Sequence, residues 1–267
     1  MIKLNGKAVE LKHFPDGTFL IKEKPGDLDR AFLSWKFEHN DELVALIYIT
    51  QHLRSHGVKY IELYMPYIPN ARQDRVKADE DVFTLKYFAW VINSLGFDKV
   101  RVLDPHSSVS EALIDRIDVL SPAMFVDTAI RTIRQQYAIE DGMLAFYPDE
   151  GAMKRYSGMV QMPYAFGIKE RDWSSGQIKG LSVCNCGQSI KGKTVLIIDD
   201  ISSRGGTFYH SAKKLKELGA DKVFLFVTHC ENTILEGEVL SSGLIEKVFT
   251  TSSLLTAEHE KIEVFEL

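Results

Sequence analysis

TVLIIDDISSRGGTFYHSAKKLKELGA, residues 194–220, decides the fold class. An apolar run, Val195, Leu196, Ile197 and Ile198, ends in two adjacent carboxylates, Asp199 and Asp200. A short Ser/Gly/Thr loop follows, and then an amphipathic pattern closed by Gly219. A short apolar run bounded by a loop and a helical pattern reads as a buried strand feeding a helix, the repeating unit of a parallel α/β sheet. Ligands of such sheets bind beyond the carboxyl ends of the strands. The helix start after Gly205, Gly206 and Thr207 offers unpaired backbone N–H groups and a positive dipole end to an anion. Paired carboxylates beside an anion cradle suit a ligand with both a diol and a phosphate, such as a phosphorylated ribose. A strand–Asp–loop–helix unit occurs in many α/β proteins, and a Gly-Gly pair also serves simply to permit a tight turn. The stretch by itself leaves both readings open.

With 267 residues the chain can bury a substantial core, as one large or two modest domains. Its composition, 45% hydrophobic and 26% charged, is that of an ordinary globular protein. A net charge of −5 without a basic stripe argues against a nucleic-acid partner. No apolar run reaches membrane-spanning length, and the start MIKLNGKAVELK lacks the apolar core of a signal peptide, so a cytoplasmic location is expected. The three cysteines agree with a reducing compartment. Cys184 and Cys186 form a Cys-x-Cys and Cys230 follows His229, but the spacing matches no familiar zinc pattern, and these cysteines are read as structural or incidental.

Periodicity predicts helices alternating with strands. Residues 42–56 read as a helix and 60–64 as a strand; 82–95, 99–103 and 108–117 read as helix, strand and helix. The rhythm returns with a helix over 128–137, a strand over 143–147, a short helix after Glu150 and a strand-like stretch over 161–168. Beyond residues 194–220 come a strand over 223–227, a helix near 234–240, and strands near Val248 and Ile262. This alternation predicts parallel sheets built from βαβ units. Leu120-Ser121-Pro122 interrupts it, which sets expected domains of 1–124 and 125–267. Residues 170–180, polar and without an apolar period, read as a mobile loop beside a site.

Further segments sharpen the reading: HFPDGT (13–18), NARQDR (70–75), LDPHSS (103–108), YPDEGAMKR (147–155) and IKER (168–171). In this order and at these spacings, together with the strand–Asp-Asp–loop–Gly-Gly-Thr stretch, the chain resembles the ribose-phosphate pyrophosphokinases, or phosphoribosyl-diphosphate synthetases, from about Phe14 to its end. NARQDR and the Asp-x-His are specific to that family, whereas the Asp-Asp–loop–Gly-Gly-Thr element is shared with the phosphoribosyltransferases. The resemblance implies an α/β fold of two phosphoribosyltransferase-like domains, each a parallel sheet flanked by helices. The N-terminal one is on the ATP side and the C-terminal one carries the ribose-phosphate loop. It implies transfer of the β,γ-diphosphate of ATP to the anomeric hydroxyl of ribose 5-phosphate, with release of AMP and use of Mg²⁺. It also implies a homo-oligomer, a dimer or a hexamer, with the ATP site shared between subunits.

Carried over residue by residue, Arg72 and Gln73 match the ATP-contacting pair. A forked, permanently charged guanidinium suits a triphosphate. His106 matches the histidine that binds metal and ATP, and Asp149 the second metal-proximal residue; a carboxylate, substrate phosphates and waters are the usual Mg²⁺ environment. Lys169 and Arg171 match the cations at the base of a catalytic loop, where charge stabilisation and positioning dominate diphosphoryl transfer. Phe14 and Asp16 match an element that contacts adenine from the neighbouring subunit, although an Asp-Gly turn explains them equally well. Asp199, Asp200, Ser203, Arg204, Gly205, Gly206 and Thr207 match the ribose-phosphate site.

Three departures bear on the acceptor. The family loop reads close to DDxxDTGGT, and here its third acid is Ser203 and a Thr is Arg204. Thr18 stands where the family has Glu. Relative to the family both ends are short, lacking the leading segment with its first helix and the final helix. The loop change makes the pocket more positive, as a longer anion such as the diphosphate bridge of ADP-ribose would favour. Some phage-borne relatives diphosphorylate ADP-ribose in NAD rebuilding, so ribose 5-phosphate and ADP-ribose both stand as expected acceptors. A non-catalytic regulatory paralogue has no chemical need for Lys169, Arg171, His106 and Asp149. A phosphoribosyltransferase, which uses no ATP, leaves NARQDR and the Asp-x-His unexplained.

Overall fold

The computed structural model describes residues 1–27, 29–171 and 178–267, with the backbone alone for 169–171 and 178–181. The chain divides into two compact units, Met1–Ser121 and Pro122–Leu267.

The first unit runs β1 (Ile2–Leu4), β2 (Lys7–Ala8), β3 (Lys12–His13), β4 (Phe19–Leu20), β5 (Arg30–Trp35), α1 (Glu42–Ser55), β6 (Tyr60–Tyr64), α2 (Thr84–Ser94), β7 (Lys99–Leu103), α3 (Ser108–Leu113) and β8 (Ile117–Leu120). Its main sheet has the order β2-β1-β5-β6-β7-β8, parallel from β5 to β8 and antiparallel at β1 and β2. Alternate residues of β5, Ala31, Leu33 and Trp35, are buried, the period-two pattern of a strand with one face on the core. Ala45, Leu46, Ile49 and Leu53 of α1 pack into the same core at helical spacing.

This unit differs from the sequence expectation in several places: no strand is expected over 2–8 or 30–35, where β1, β2 and β5 lie, and the helix starting at 108 ends early. Asn5 (φ 49°) and Gly6 (φ 81°) turn β1 onto β2 in a tight hairpin, an Asn-Gly signal lying outside the helix-strand alternation. The helix expected over 108–117 stops at Leu113, because Ile114 is extended (φ −95°, ψ 121°) and β8 begins at Ile117 as an edge strand against β7.

The second unit runs α4 (Ala123–Gln136), β9 (Met143–Tyr147), α5 (Glu150–Tyr156), β10 (Tyr164–Arg171), β11 (Ile178–Cys184), β12 (Thr194–Ser202), α6 (Gly206–Glu217), β13 (Lys222–Cys230), a 3-10 turn (Asn232–Glu236), α7 (Glu238–Ser241), β14 (Val248–Thr251) and β15 (Ile262–Phe265). The sheet order is β11-β10-β9-β12-β13-β14-β15, parallel except for the antiparallel pair β10–β11. β9, β12 and β13 are covered on both faces, which explains their continuous apolar runs. Val195 and Ile197 pack with Phe208, Ala212 and Leu215 of α6. Leu196 and Ile198 pack with Val126, Ala129 and Ile133 of α4 and with Ala152 and Tyr156 of α5.

The segment expected to be a polar loop over 170–180 is strand at both ends. Lys169 pairs with Leu181 and Glu170 with Gly180. The remainder of that expected loop, residues 172–177, lies outside the described residues. No helix among the described residues is long and apolar enough to cross a membrane.

Candidate functional site

In the second unit, β12 carries Asp199 and Asp200 to the carboxyl edge of the sheet, and the chain turns through Ser203, Arg204 and Gly205 into α6. Gly205 sits at φ +76°, and a Cβ there would fall 2.3 Å from Val239 Cγ2, so both backbone geometry and space require glycine. A Cβ on Gly206 would meet nothing within 4 Å, and Gly206 and Thr207 are both exposed. As the first residues of α6 they have N–H groups with no carbonyl a turn earlier to bind. The arrangement is an open cradle at a helix start that favours an anion.

The strand period of two places Asp200 on the face of Leu196 and Ile198, where α5 brings Arg155, with Nη1 3.7 Å from Asp200 Oδ2. Arg155 also lies over the Tyr156 ring, 5.6 Å from its centroid. Asp200 is buried and Asp199 half-buried, and the Asp200 backbone N–H donates to Asp199 Oδ1 at 3.0 Å. Burial first, and then the Asp200 charge, raise the Asp199 carboxyl well above the usual carboxylate range; Asp149 adds to the rise. Asp149 caps α5, its Oδ1 accepting the Ala152 N–H at 3.1 Å. The structure thus brings Asp149, Asp199 and Asp200 into one electrostatic group.

A second segment supports the loop. Ser203 Oγ lies 3.0 Å from Thr233 Oγ1, and the Glu231 N–H donates to the Ser202 carbonyl at 2.8 Å. Arg204 Nη2 donates to Glu236 Oε2 at 2.7 Å. A Cβ on Gly237 would fall 1.8 Å from the Arg204 carbonyl oxygen. Sequence reasoning missed Thr233, Glu236, Gly237 and Arg155. The first three follow β13 some thirty residues after the loop, and no local pattern announces that contact. Arg155 closes YPDEGAMKR, and its approach to Asp200 depends on the packing of α5 against β12.

In the first unit, NARQDR follows β6. Asn70 adopts φ 65° and its carbonyl accepts the Gln73 N–H at 2.9 Å, forming a turn that leaves Arg72 and Gln73 exposed. Thr84 Oγ1, at the start of α2, donates to Gln73 Oε1. Asp74 is buried and accepts from Arg75 Nε at 2.9 Å. Burial works to raise the Asp74 carboxyl. The Arg75 hydrogen bond, the nearby Ser107 hydroxyl and the charges of Arg75 and His106 outweigh it and hold the group below the usual carboxylate range. Through Asp74, NARQDR and half-buried His106 converge at the carboxyl edge of the neighbouring strands β6 and β7.

Phe14 and Asp16 lie on the turn between β3 and β4, with the Phe14 ring 49% exposed. Asp16 Oδ1 accepts from Thr18 Oγ1 at 2.7 Å and from the Thr18 N–H at 3.0 Å, which lowers its carboxyl. The departure to Thr18 thus adds a hydroxyl hydrogen bond to the backbone one, fastening Asp16 within its own turn. Lys169 and Arg171 lie on the last residues of β10, where the pairing with β11 shifts register between Glu170 and Arg171. Their side chains lie outside the described residues.

His106 belongs to the first unit and Asp149 to the second. Among the described residues, no group of three or more His, Cys, Asp or Glu side chains is arranged to hold a metal ion. An Mg²⁺ ion, which keeps several waters and substrate oxygens, fits a single protein carboxylate such as Asp149. The charge of Asp149 adds to those of Asp199 and Asp200, and such an ion would relieve it. Cys184 and Cys186 place their sulfurs 3.9 Å apart, while burial, aided by the Glu231 charge, pushes the Cys230 thiol up to about 12.

No family model matches the sequence. The ribose-phosphate pyrophosphokinase of Thermococcus kodakarensis is 29% identical over 246 residues, covering 90% of this chain and 81% of that protein. The ribose-phosphate pyrophosphokinase of Bradyrhizobium diazoefficiens is 30% identical over 231 residues, covering 84% of this chain and 69% of that protein. The crystal structure of phosphoribosylpyrophosphate synthetase from Mycobacterium smegmatis aligns with a TM-score of 0.78 over 97% of this chain and 86% of its own, at 21% identity. That likeness is one of fold and bears out the two phosphoribosyltransferase-like α/β domains. With these relatives spanning most of its length, the chain belongs to the ribose-phosphate pyrophosphokinase family of diphosphotransferases.

Proposed function

We propose that the protein transfers the β,γ-diphosphate of ATP to the anomeric hydroxyl of a 5′-phosphorylated ribose and releases AMP. The observation that carries this reading is the pairing of Asp199 and Asp200 with the open helix start at Gly206 and Thr207, at one carboxyl edge of the second unit's sheet. Ionised Asp199 and Asp200 accept hydrogen bonds from ribose hydroxyls, and the N–H groups at Gly206 and Thr207 take the 5′ phosphate. Ser203, Arg204 and Gly205 shape the turn between them. The first unit supplies the nucleotide groups, Arg72, Gln73 and His106, with Phe14 and Asp16 contacting adenine in a homo-oligomer, dimer or hexamer.

In the reaction the 1-hydroxyl oxygen bonds to the β-phosphorus, the bond from that phosphorus to the bridging oxygen breaks, and AMP leaves with that oxygen. The hydroxyl proton passes to solvent. Lys169 and Arg171 neutralise charge on the transferring group. Asp149 would hold Mg²⁺, which when bound would supply neutralisation of the substrate phosphates.

Ribose 5-phosphate is the leading acceptor, because Arg204 is paired with Glu236 and its charge is compensated at the loop. ADP-ribose is the second reading, favoured by neutral Ser203 in place of an acid. Acceptor-dependent and Mg²⁺-dependent AMP release, with product mass spectrometry for each sugar, is the test. No AMP with any ribose phosphate would end the reading, and preferential turnover of ADP-ribose would exchange the two acceptors.

A pH dependence follows from Asp199. Its raised value means that it is still protonated at a pH where an ordinary carboxylate is ionised, so kcat/KM for the acceptor falls as pH drops through that value. Asp200→Asn removes the charge that, after burial, raises Asp199, and is expected to move this acidic limb to lower pH. Asp199→Asn is expected to lose about tenfold or more in kcat/KM, as for a lost charged hydrogen bond. Stability has the opposite sign. The Asp199 contribution is complete below a pH of about 3.9 and is lost as pH rises through the raised value. Asp199→Asn is therefore expected to melt higher than the wild type at neutral pH. Melting curves at acid and neutral pH check this, and an unchanged acidic limb in Asp200→Asn would contradict the coupling.

A further inference from the structure

We infer that Glu236 is a specificity-determining residue, a latch that holds the Arg204 guanidinium away from the acceptor's 5′ substituent. The inference rests on the acceptor site proposed above and deepens it.

The backbone of the loop is fixed by packing, whereas its arginine side chain is held only by an exposed ion pair. The Arg204 carbonyl is pressed against Gly237, Gly205 packs on Val239, and Ser203 is tied to Thr233. The Arg204–Glu236 pair, in contrast, is solvent-exposed, with side chains 72% and 57% accessible. An exposed pair of this kind opens at little cost, because water and salt compete with both partners. Arg204 directly precedes Gly205, at whose far side the Gly206 and Thr207 N–H groups form the anion cradle. A monophosphate is served by that cradle alone. A diphosphate-bridged substituent carries a second phosphate beyond the first, and a planar guanidinium matches it with two parallel hydrogen bonds. Glu236 opposes this longer anion twice, by occupying Arg204 and by adding a negative charge beside it. Rejecting one ligand by an unfavourable charge is a common means of discrimination.

The test is equilibrium binding, by calorimetry, of ribose 5-phosphate and ADP-ribose to the full chain as wild type, Glu236→Gln, Arg204→Ala and the double variant. Glu236→Gln is expected to raise the affinity for ADP-ribose relative to ribose 5-phosphate on the order of fivefold, the scale of an exposed ion pair. Arg204→Ala is expected to lower that ratio, and the double variant to show the Arg204→Ala ratio. An unchanged ratio in Glu236→Gln, or a gain that survives in the double variant, would overturn the latch. Failure of both sugars to bind the wild type would overturn the latch together with the site. A shifted binding ratio without AMP release would uphold the latch and defeat only the proposed reaction.

Discussion

Gly237→Ala is expected to lower kcat/KM for the acceptor by about 100-fold, the scale of a displacement near 1 Å at a reacting site. The added Cβ would lie 1.8 Å from the Arg204 carbonyl oxygen and 2.8 Å from its carbonyl carbon. A carbon and a carbonyl oxygen rest at roughly 3.3 Å or more, so the loop or the start of α7 must move by more than about 1 Å. Neither yields easily. Val239 of α7 is buried against Gly205, and the Ser202 carbonyl is held by the Glu231 N–H. Gly237 itself has φ −99° and ψ 176°, a conformation open to any residue, so the effect is steric. Overpacking of this kind also costs about 1–3 kcal/mol of stability, read as a lower melting temperature. Gly158→Ala is the control. It is exposed, a Cβ there meets nothing within 4 Å, and a change within about 0.5 kcal/mol is expected. If Gly237→Ala kept wild-type acceptor kinetics, the segment after β13 would have no part in shaping the cradle.

Lys169→Ala is expected to lower kcat by ~10²–10³-fold, the usual loss on removing one preorganised group that stabilises transition-state charge, with nucleotide affinity nearly unchanged. Diphosphoryl transfer asks the protein for positioning and charge rather than covalent chemistry. Strand pairing with Leu181 positions Lys169, and the register shift at Glu170/Arg171 lies next to it. Such irregularities gather beside active sites, where they re-aim a side chain. Lys169→Arg keeps the charge but not its point geometry and is expected to recover only part of the rate. Single-turnover AMP release and equilibrium binding of a non-hydrolysable ATP analogue separate the two effects. A loss confined to KM for ATP would move Lys169 from charge stabilisation to ordinary nucleotide binding.

Legibility in the sequence followed the range of the interactions. The apolar runs of β9 and β12, and the strands β6 and β7, were readable because burial leaves a periodic pattern in a few consecutive residues. The N-terminal hairpin β1–β2 lies outside the helix-strand alternation, and only its Asn-Gly turn marks it locally. β8 is not legible as a strand: its first residue, Ile117, falls at the end of the helical pattern over 108–117, and its half-exposed residues owe their conformation to β7. At the site, residue types and order were legible by resemblance. The local turn that Thr18 makes with Asp16 was not, and neither was the Arg204–Glu236 pair that compensates the loop's added charge.

The sequence by itself determined the alternating α/β architecture, the family, and the identity of the carboxylates and glycines around residues 199–207. Each of these is written in neighbouring residues, where strand period, helix start and turn geometry are local properties. Only the tertiary structure decided what Ser203 and Arg204 contact. Their partners Thr233 and Glu236 stand beyond β13, and it is the parallel pairing of β12 with β13, out to Ser202 and Cys230, that brings the two loops together. A charge in a sequence counts toward a pocket only when its neighbours leave it uncompensated, and here those neighbours are set by the sheet.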